Sequence, residues 1–136
     1  MTIDGRAINS STVGVTTPAE GRFTTLRGAY VSTSVHSADY TITAYDLGGL
    51  MVMNAPSIAT FTLPAVGASE DGAHVMIANQ SDNQLGIQAQ AGDYIMDSSA
   101  GGFCYNAGTS SFIELVYHDA SSVWLMRGGA GTWTTG

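Results

Sequence analysis

Apolar positions change their spacing sharply near residue 28. From Gly28 onward, short runs of alternating or continuous apolar and β-branched residues are bounded by Gly, Asn, Asp and Ser clusters, the signature of β-strands. The runs place strands at Tyr30 to Val35, Tyr40 to Ala44, Leu50 to Asn54, Ala59 to Leu63, His74 to Asn79, Leu85 to Ala89, Tyr94 to Met96, Phe112 to His118 and Val123 to Arg127. Turn signals roughly every 8 to 12 residues point to a compact antiparallel sandwich or small barrel spanning residues 29–136. The most legible pair is FIELVYHDASSVWLMRGG, where Ile113, Leu115 and Tyr117 alternate with Phe112, Glu114, Val116 and His118. Asp119 to Ser122 then supplies turn chemistry, and a hairpin is the economical reading. No stretch combines a 3.6-residue period, an N-cap and adequate length, so no helix longer than a turn is expected.

Residues 1–28 behave differently. Their apolar side chains (Ile3, Ala7, Ile8, Val13, Val15, Phe23, Leu26) are sparse and separated by Gly, Ser, Thr and Pro18. One copy cannot bury enough surface to offset ordering its backbone at roughly 1–2 kcal/mol per residue. The segment therefore reads as an arm or stem that is ordered only against something else.

Composition narrows the function classes. The 136 residues suit one domain, and the charged fraction of 11% is under half the usual ~25%. Ser, Thr, Asn, Gln and Gly must then cover the surface, as in chemically inert extracellular β proteins. All four basic residues are Arg (Arg6, Arg22, Arg27, Arg127), and the formal net charge is -7. That balance argues against a nucleic-acid binder, which needs a basic stripe to replace counterions on phosphate. No window approaches 18 consecutive apolar residues, and Met1 opens no secretory leader, so neither a membrane span nor export by a signal peptide is expected. The single Cys104 excludes an intrachain disulfide and a multi-cysteine zinc site, and reads as a small buried hydrophobe.

Candidate chemistry is thin. There is no G-x-S-x-G, and the serine pairs Ser10–Ser11, Ser98–Ser99, Ser110–Ser111 and Ser121–Ser122 fall at expected turns. His36, His74 and His118 lack close ligand spacing, although one His from each of three subunits could ring a threefold axis. Glu70 beside Asp71 is a polar loop tip, because adjacent carboxylates on extended chain diverge. Asp82, Asp93 and Asp97 do not have calcium-loop spacing, and the Gly-rich stretches SSAGGF and RGGAGTW lack the Lys of a phosphate cradle. No metal, cofactor or catalytic residue is assigned. ADYTITAYDLGGL and GDYIMDSSAGGF share an Asp-Tyr followed by Gly-Gly, a faint sign of duplicated hairpins. Among twelve aromatics, Phe61, Phe112 and Trp124 belong to core or interface, whereas Tyr105 and Trp133, with Asp82 and Glu70, are the candidate contacts for a glycan or partner.

TVGVTTPAEGRFTTL resembles the segment I-G-x-T-T-P-A-x-G-x-F-T-T-L of virion surface proteins of tailed bacteriophages: Thr17, Pro18, Ala19, Gly21, Phe23, Thr24, Thr25 and Leu26 stand in order. The remainder is similar, more loosely, to a compact β module of phage fibres, through Thr62 to Ala65, Gly72, Ile77 and Asn79, Ile87, Ala89, Gly92 to Ile95, Phe112 to Tyr117, Trp124 and Gly131 to Trp133. The resemblance implies a non-enzymatic homotrimer on the virion surface. Its stem would use Val13, Val15, Pro18, Arg22, Phe23, Leu26 and Arg27, and its partners would be the major capsid protein or a tail or baseplate protein. Three copies wound about one axis would also bury what a single arm cannot. A short arm with one small head suits a decoration or cement protein on the capsid. The alternatives are a short tail fibre, or a module that recognises host glycan.

Overall fold

The computed structural model describes residues 31–106 and 110–136. The stem residues Val13, Val15, Pro18, Arg22, Phe23, Leu26 and Arg27 lie outside that range. Among the described residues the chain forms eleven strands and three single turns of 3-10 helix, and the all-β expectation holds. The strands are β1 (Thr33–His36), β2 (Tyr40–Thr41), β3 (Leu50–Met53), β4 (Ala59–Thr62), β5 (His74–Asn79), β6 (Leu85–Gln88), β7 (Tyr94–Ile95), β8 (Phe103–Asn106), β9 (Ser111–His118), β10 (Val123–Ala130) and β11 (Thr134–Thr135). They build two sheets in the orders β1-β3-β5-β9-β10-β7 and β11-β8-β6-β4-β2.

The antiparallel expectation needs correction, because both sheets are mixed. β1, β3 and β5 are successive parallel neighbours in the first sheet, and β2, β4 and β6 in the second. The chain thus crosses between sheets at each step, and β1–β2, β3–β4 and β5–β6 stack as three coils. Parallel neighbours need a long crossover, ordinarily a helix; here the strand in the opposite sheet serves instead. Leu50 pairs with Met76 and Ala59 with Leu85, so the second and third coils stand in a uniform offset of 26 residues. The shared Asp-Tyr does not mark that repeat: Tyr40 lies in the second sheet and Tyr94 in the first.

After the third coil the pairing turns antiparallel, except that β7 runs parallel to β10 at the edge of the first sheet. β9 lies against β5, and β10 returns beside β9 as the expected hairpin, with Val123 opposite His118 and a bulge between Met126 and Gly128. In the second sheet β8 closes on β6 and β11 on β8. Neither β8 nor β11 is legible in the sequence, since glycines flank FCYN and β11 has only two residues.

Facing side chains of the two sheets make one core: Met51, Met53, Val75, Ile77, Ile113, Leu115 and Trp124 from the first, Phe61, Leu85, Ile87 and Cys104 from the second. Trp124 lies against Tyr117 with ring centroids 5.3 Å apart. One end of the core is polar. Asn79 donates to the Asn83 carbonyl at 2.9 Å and accepts from the Ser81 N–H and hydroxyl at 3.0 and 2.8 Å. On the neighbouring strands the Ser111 hydroxyl donates to Asn106 at 2.9 Å. These buried groups fasten the chain at the ends of β5, β8 and β9, where unpaired polar atoms would otherwise be costly.

Candidate functional site

The structure scatters the four candidate contact residues. Glu70 ends the 3-10 turn Ala68–Glu70, where its carboxylate accepts from the Ser69 hydroxyl at 2.7 Å and the Gly67 N–H at 2.9 Å. Those bonds, the Ser69 hydroxyl foremost, hold its carboxyl below the usual range. Its neighbour Asp71 accepts from the Asp119 N–H at 3.0 Å, so both acids pin turns. Asp82 is exposed on the turn that Asn79, Ser81 and Asn83 brace. Trp133 is half-buried against the core, and its indole N–H donates to the carbonyls of Phe112 and Ala130 at 3.2 and 3.3 Å. Tyr105 lies on the outer face of the second sheet with its ring 6.0 Å from that of Phe103. Tyr105 and Trp133 therefore do not form one stacking platform, since Trp133 is spent inward.

Sequence reasoning missed a cluster at the first coil. Ser34 Oγ stands 2.7 Å from His36 Nε2, the His36 and Tyr40 rings are 3.8 Å apart, and the Tyr40 hydroxyl donates to Asp46 at 3.2 Å. The Thr43 N–H and hydroxyl each donate to the same Asp46 oxygen at 2.8 Å. Burial pushes the Asp46 carboxyl up, but the Thr43 and Tyr40 bonds and the nearby His36 prevail and lower it. Burial, then the Asp46 contact, raises the Tyr40 hydroxyl.

A serine, a histidine and a carboxylate invite comparison with a nucleophilic triad. That chemistry needs the carboxylate on the second imidazole nitrogen and donors for an oxyanion. Here Asp46 is occupied by Thr43 and Tyr40, and Ser34 sits within an extended strand. His36 also packs edge-on to Phe61 at 5.5 Å. β1 and β2 are edge strands of their sheets, so the cluster caps the otherwise open end of the coil stack. No spacing motif announces it, because the fold-back from β1 to the turn Ala44–Asp46 is what assembles it.

The remaining candidates lie apart, in turns and strands. His118 Nδ1 stands 2.6 Å from Ser121 Oγ across the hairpin turn. His74 is half-buried on β5. Among the described residues no three of His, Cys, Asp and Glu come together to hold a metal ion. Ser98 serves its turn, accepting from the Ile95 N–H at 2.9 Å. Ser111 departs from the turn expectation: it opens β9 and is buried. Cys104 is fully buried, and that burial pushes its thiol up to about 11. No helix among the described residues is long and apolar enough to cross a membrane.

What the fold displays most openly is the contrast between its two outer faces. On the second sheet, Thr41, Thr62, Gln88 and Phe103 form one row across four strands, and Thr60, Gly86, Tyr105 and Thr134 the next. That face is hydroxyl-rich. On the first sheet one row reads Val35, Val52, Ala78, Phe112 and Ala130, apolar across five strands. Val35, Phe112 and Leu125 are 66%, 44% and 47% exposed, so Phe112 belongs outside while Phe61 and Trp124 are core. The signal was present in the sequence: LMVM and VWLM are continuous rather than alternating, the pattern of strands apolar on both faces.

No family model matches the chain, and no curated protein matches it in sequence.

Proposed function

We propose that this chain is a non-enzymatic structural protein of a tailed-bacteriophage virion, a short homotrimer whose residues 1–28 anchor it and whose residues 29–136 form an outward β head that decorates or cements the capsid. The observation that carries the reading is the T-T-P-A-x-G-x-F-T-T-L segment, Thr16 to Leu26, placed directly ahead of a head that has its own closed core. The scattering of the candidate side chains supports it, since Glu70, Asp71, Ser98, His118 and the Asp46 cluster hold turns and ends together. A cryo-electron microscopy map of intact virions tests it. Density for three heads seated between coat subunits is the expected result. The same density on the tail would instead make the chain a short fibre, and absence from virions would sink both placements.

One observation favours a second reading, recognition of host glycan. The Phe103 and Tyr105 rings, inclined 30° to each other, lie on the hydroxyl-rich face of the second sheet, where flat sugars can stack. Binding of the full chain to a bacterial glycan array, lost in Tyr105→Ala, would establish it.

A further inference from the structure

We propose that the open edge of β2 takes the segment Phe23 to Leu26 of the same chain as a further parallel strand, so that the arm is rooted on its own head. The proposal does not depend on the virion reading, and it leaves residues 1–21 as the part of the arm available to other proteins.

β1 and β2 lie at the same end of the coil stack, each the last strand of its sheet. Ser34, His36, Tyr40 and Asp46 close that end with side chains, but the outer side of the backbone is still open. In a parallel pair the N–H and C=O of one residue face the same neighbour. The Ile42 N–H donates to the Thr62 carbonyl at 2.8 Å, so Tyr40 and Ile42 turn their backbone groups toward β4 and Thr41 turns its own outward. Among the described residues no hydrogen bond reaches the Thr41 backbone. Such an edge is a template for one more strand.

The side-chain pattern selects the strand. An aromatic residue followed by threonine occurs four times, at Phe23, Tyr40, Phe61 and Trp133. The three described copies all belong to the second sheet: Tyr40 and Thr41 form β2, Phe61 and Thr62 end β4, and Trp133 leads into Thr134 of β11. In each the ring packs toward the core and the threonine stands on the outer face. Trp133-Thr134-Thr135 also has the second threonine of Phe23-Thr24-Thr25, and it too lies on an edge strand. Phe23 set beside Tyr40 extends the row Tyr40, Phe61, Ile87 and Cys104 by one ring. The same register puts Arg22 beside Asp39, opposite charges on neighbouring strands.

Reach excludes the other edge of that sheet. Leu26 is six residues from Ser32, which precedes β1, and six residues span no more than about 22 Å. A place beside β2 is one strand spacing and one sheet separation from β1, roughly 11 Å, whereas a place beyond β11 is roughly 26 Å away.

A nitroxide on Thr24→Cys in the full chain tests this by nuclear magnetic resonance, because buried Cys104 leaves the introduced thiol as the accessible one. When label and nitrogen-15 share a chain diluted into unlabelled protein, the Thr41 and Thr62 amides should broaden more than the Thr134 amide at the far edge. When spin-labelled chains are refolded together with nitrogen-15 chains that have no label, that preference should vanish. Hydrogen exchange supplies the second reading: the Thr41 amide should exchange about 100-fold or more slowly than an unprotected amide, and Thr25→Pro, which removes the N–H facing the Thr41 carbonyl, should abolish the protection. Equal broadening at Thr41 and Thr134, or an unprotected Thr41 amide in the wild type, overturns the proposal. Broadening of Thr41 only in the refolded mixture assigns the strand to a neighbouring copy, as in a wound trimer stem, and overturns it as well.

Discussion

Replacing Gly86 by alanine isolates the contact that the Phe103 ring of β8 makes with neighbouring β6 on the outer face of the second sheet. A Cβ at Gly86 falls 2.2 Å from Phe103 Cζ and 2.6 Å from Cε2, so the ring lies flat over the glycine. Gly86 does not have a left-handed backbone, and the substitution itself brings no dihedral strain. The ring must lift instead. Phe103 is half-buried, and lifting it exposes on the order of 50–100 Å², or about 1–2.5 kcal/mol at roughly 25 cal/mol per Å². Alanine returns about 0.4–1 kcal/mol by restricting the unfolded chain. Gly86→Ala is therefore expected to destabilise by about 0.5–2 kcal/mol. In a Phe103→Ala background only Thr60 Oγ1, 3.2 Å away, must yield by a few tenths of an ångström, and the same change should no longer destabilise.

The assay is urea unfolding followed by the fluorescence of buried Trp124, at one fixed protomer concentration so that association does not enter the comparison. The cycle should show a coupling of about 1–2.5 kcal/mol between positions 86 and 103. If Gly86→Ala has the same effect in both backgrounds, within the ~0.5 kcal/mol expected of independent sites, the ring does not depend on the glycine and the packing argument fails.

Asn79→Ala should cost about 2–3 kcal/mol, because it strips partners from the Ser81 N–H and hydroxyl and the Asn83 carbonyl at the polar end of the core; thermal unfolding of the variant checks it. The Cys104 thiol is raised from 9.0 to about 11 in the fold, so its contribution is fully present below pH 9 and lost as pH rises toward 11. The total is about 2–3 kcal/mol, and the alkaline fall in urea midpoint should be shallower in Cys104→Ala. Asp46 has the opposite sense: its carboxyl is lowered from 3.8, so its stabilisation is present above that pH and disappears as pH falls through the folded value. Asp46→Ala should cost about 1 kcal/mol at neutral pH and flatten the acid limb of the stability profile, read by circular dichroism.

The positions of nine strands were legible because most runs of apolar and β-branched residues are bounded by Gly, Asn, Asp, Ser or Pro. Their partners were not. LMVM and HVMIAN look the same whether their neighbours run parallel or antiparallel, and only the length of the excursion through ATFT and LGIQ shows that the chain visits another sheet before returning. The 26-residue offset escaped notice because it is kept by geometry rather than by identical residues: Met53 and Asn79 occupy equivalent positions, one in the apolar core and one at its polar end. The Ser34–His36–Tyr40–Asp46 cap was invisible for the same reason, since its members meet only when β2 folds back under β1.

The outer faces teach the converse. A hairpin read as alternating, FIELVYH, carries Phe112 and Val116 on its solvent side, and these are the residues that alternation alone would assign to water. An isolated sandwich gains nothing from apolar side chains there; they weaken its solubility and invite misassociation. Among the described residues every acid but Glu114 stands in a turn or loop, hydroxyls cover one sheet and valine, phenylalanine and leucine the other, so the two outer surfaces differ in kind. That arrangement, more than any constellation of polar side chains, is what the described residues offer as a basis for function.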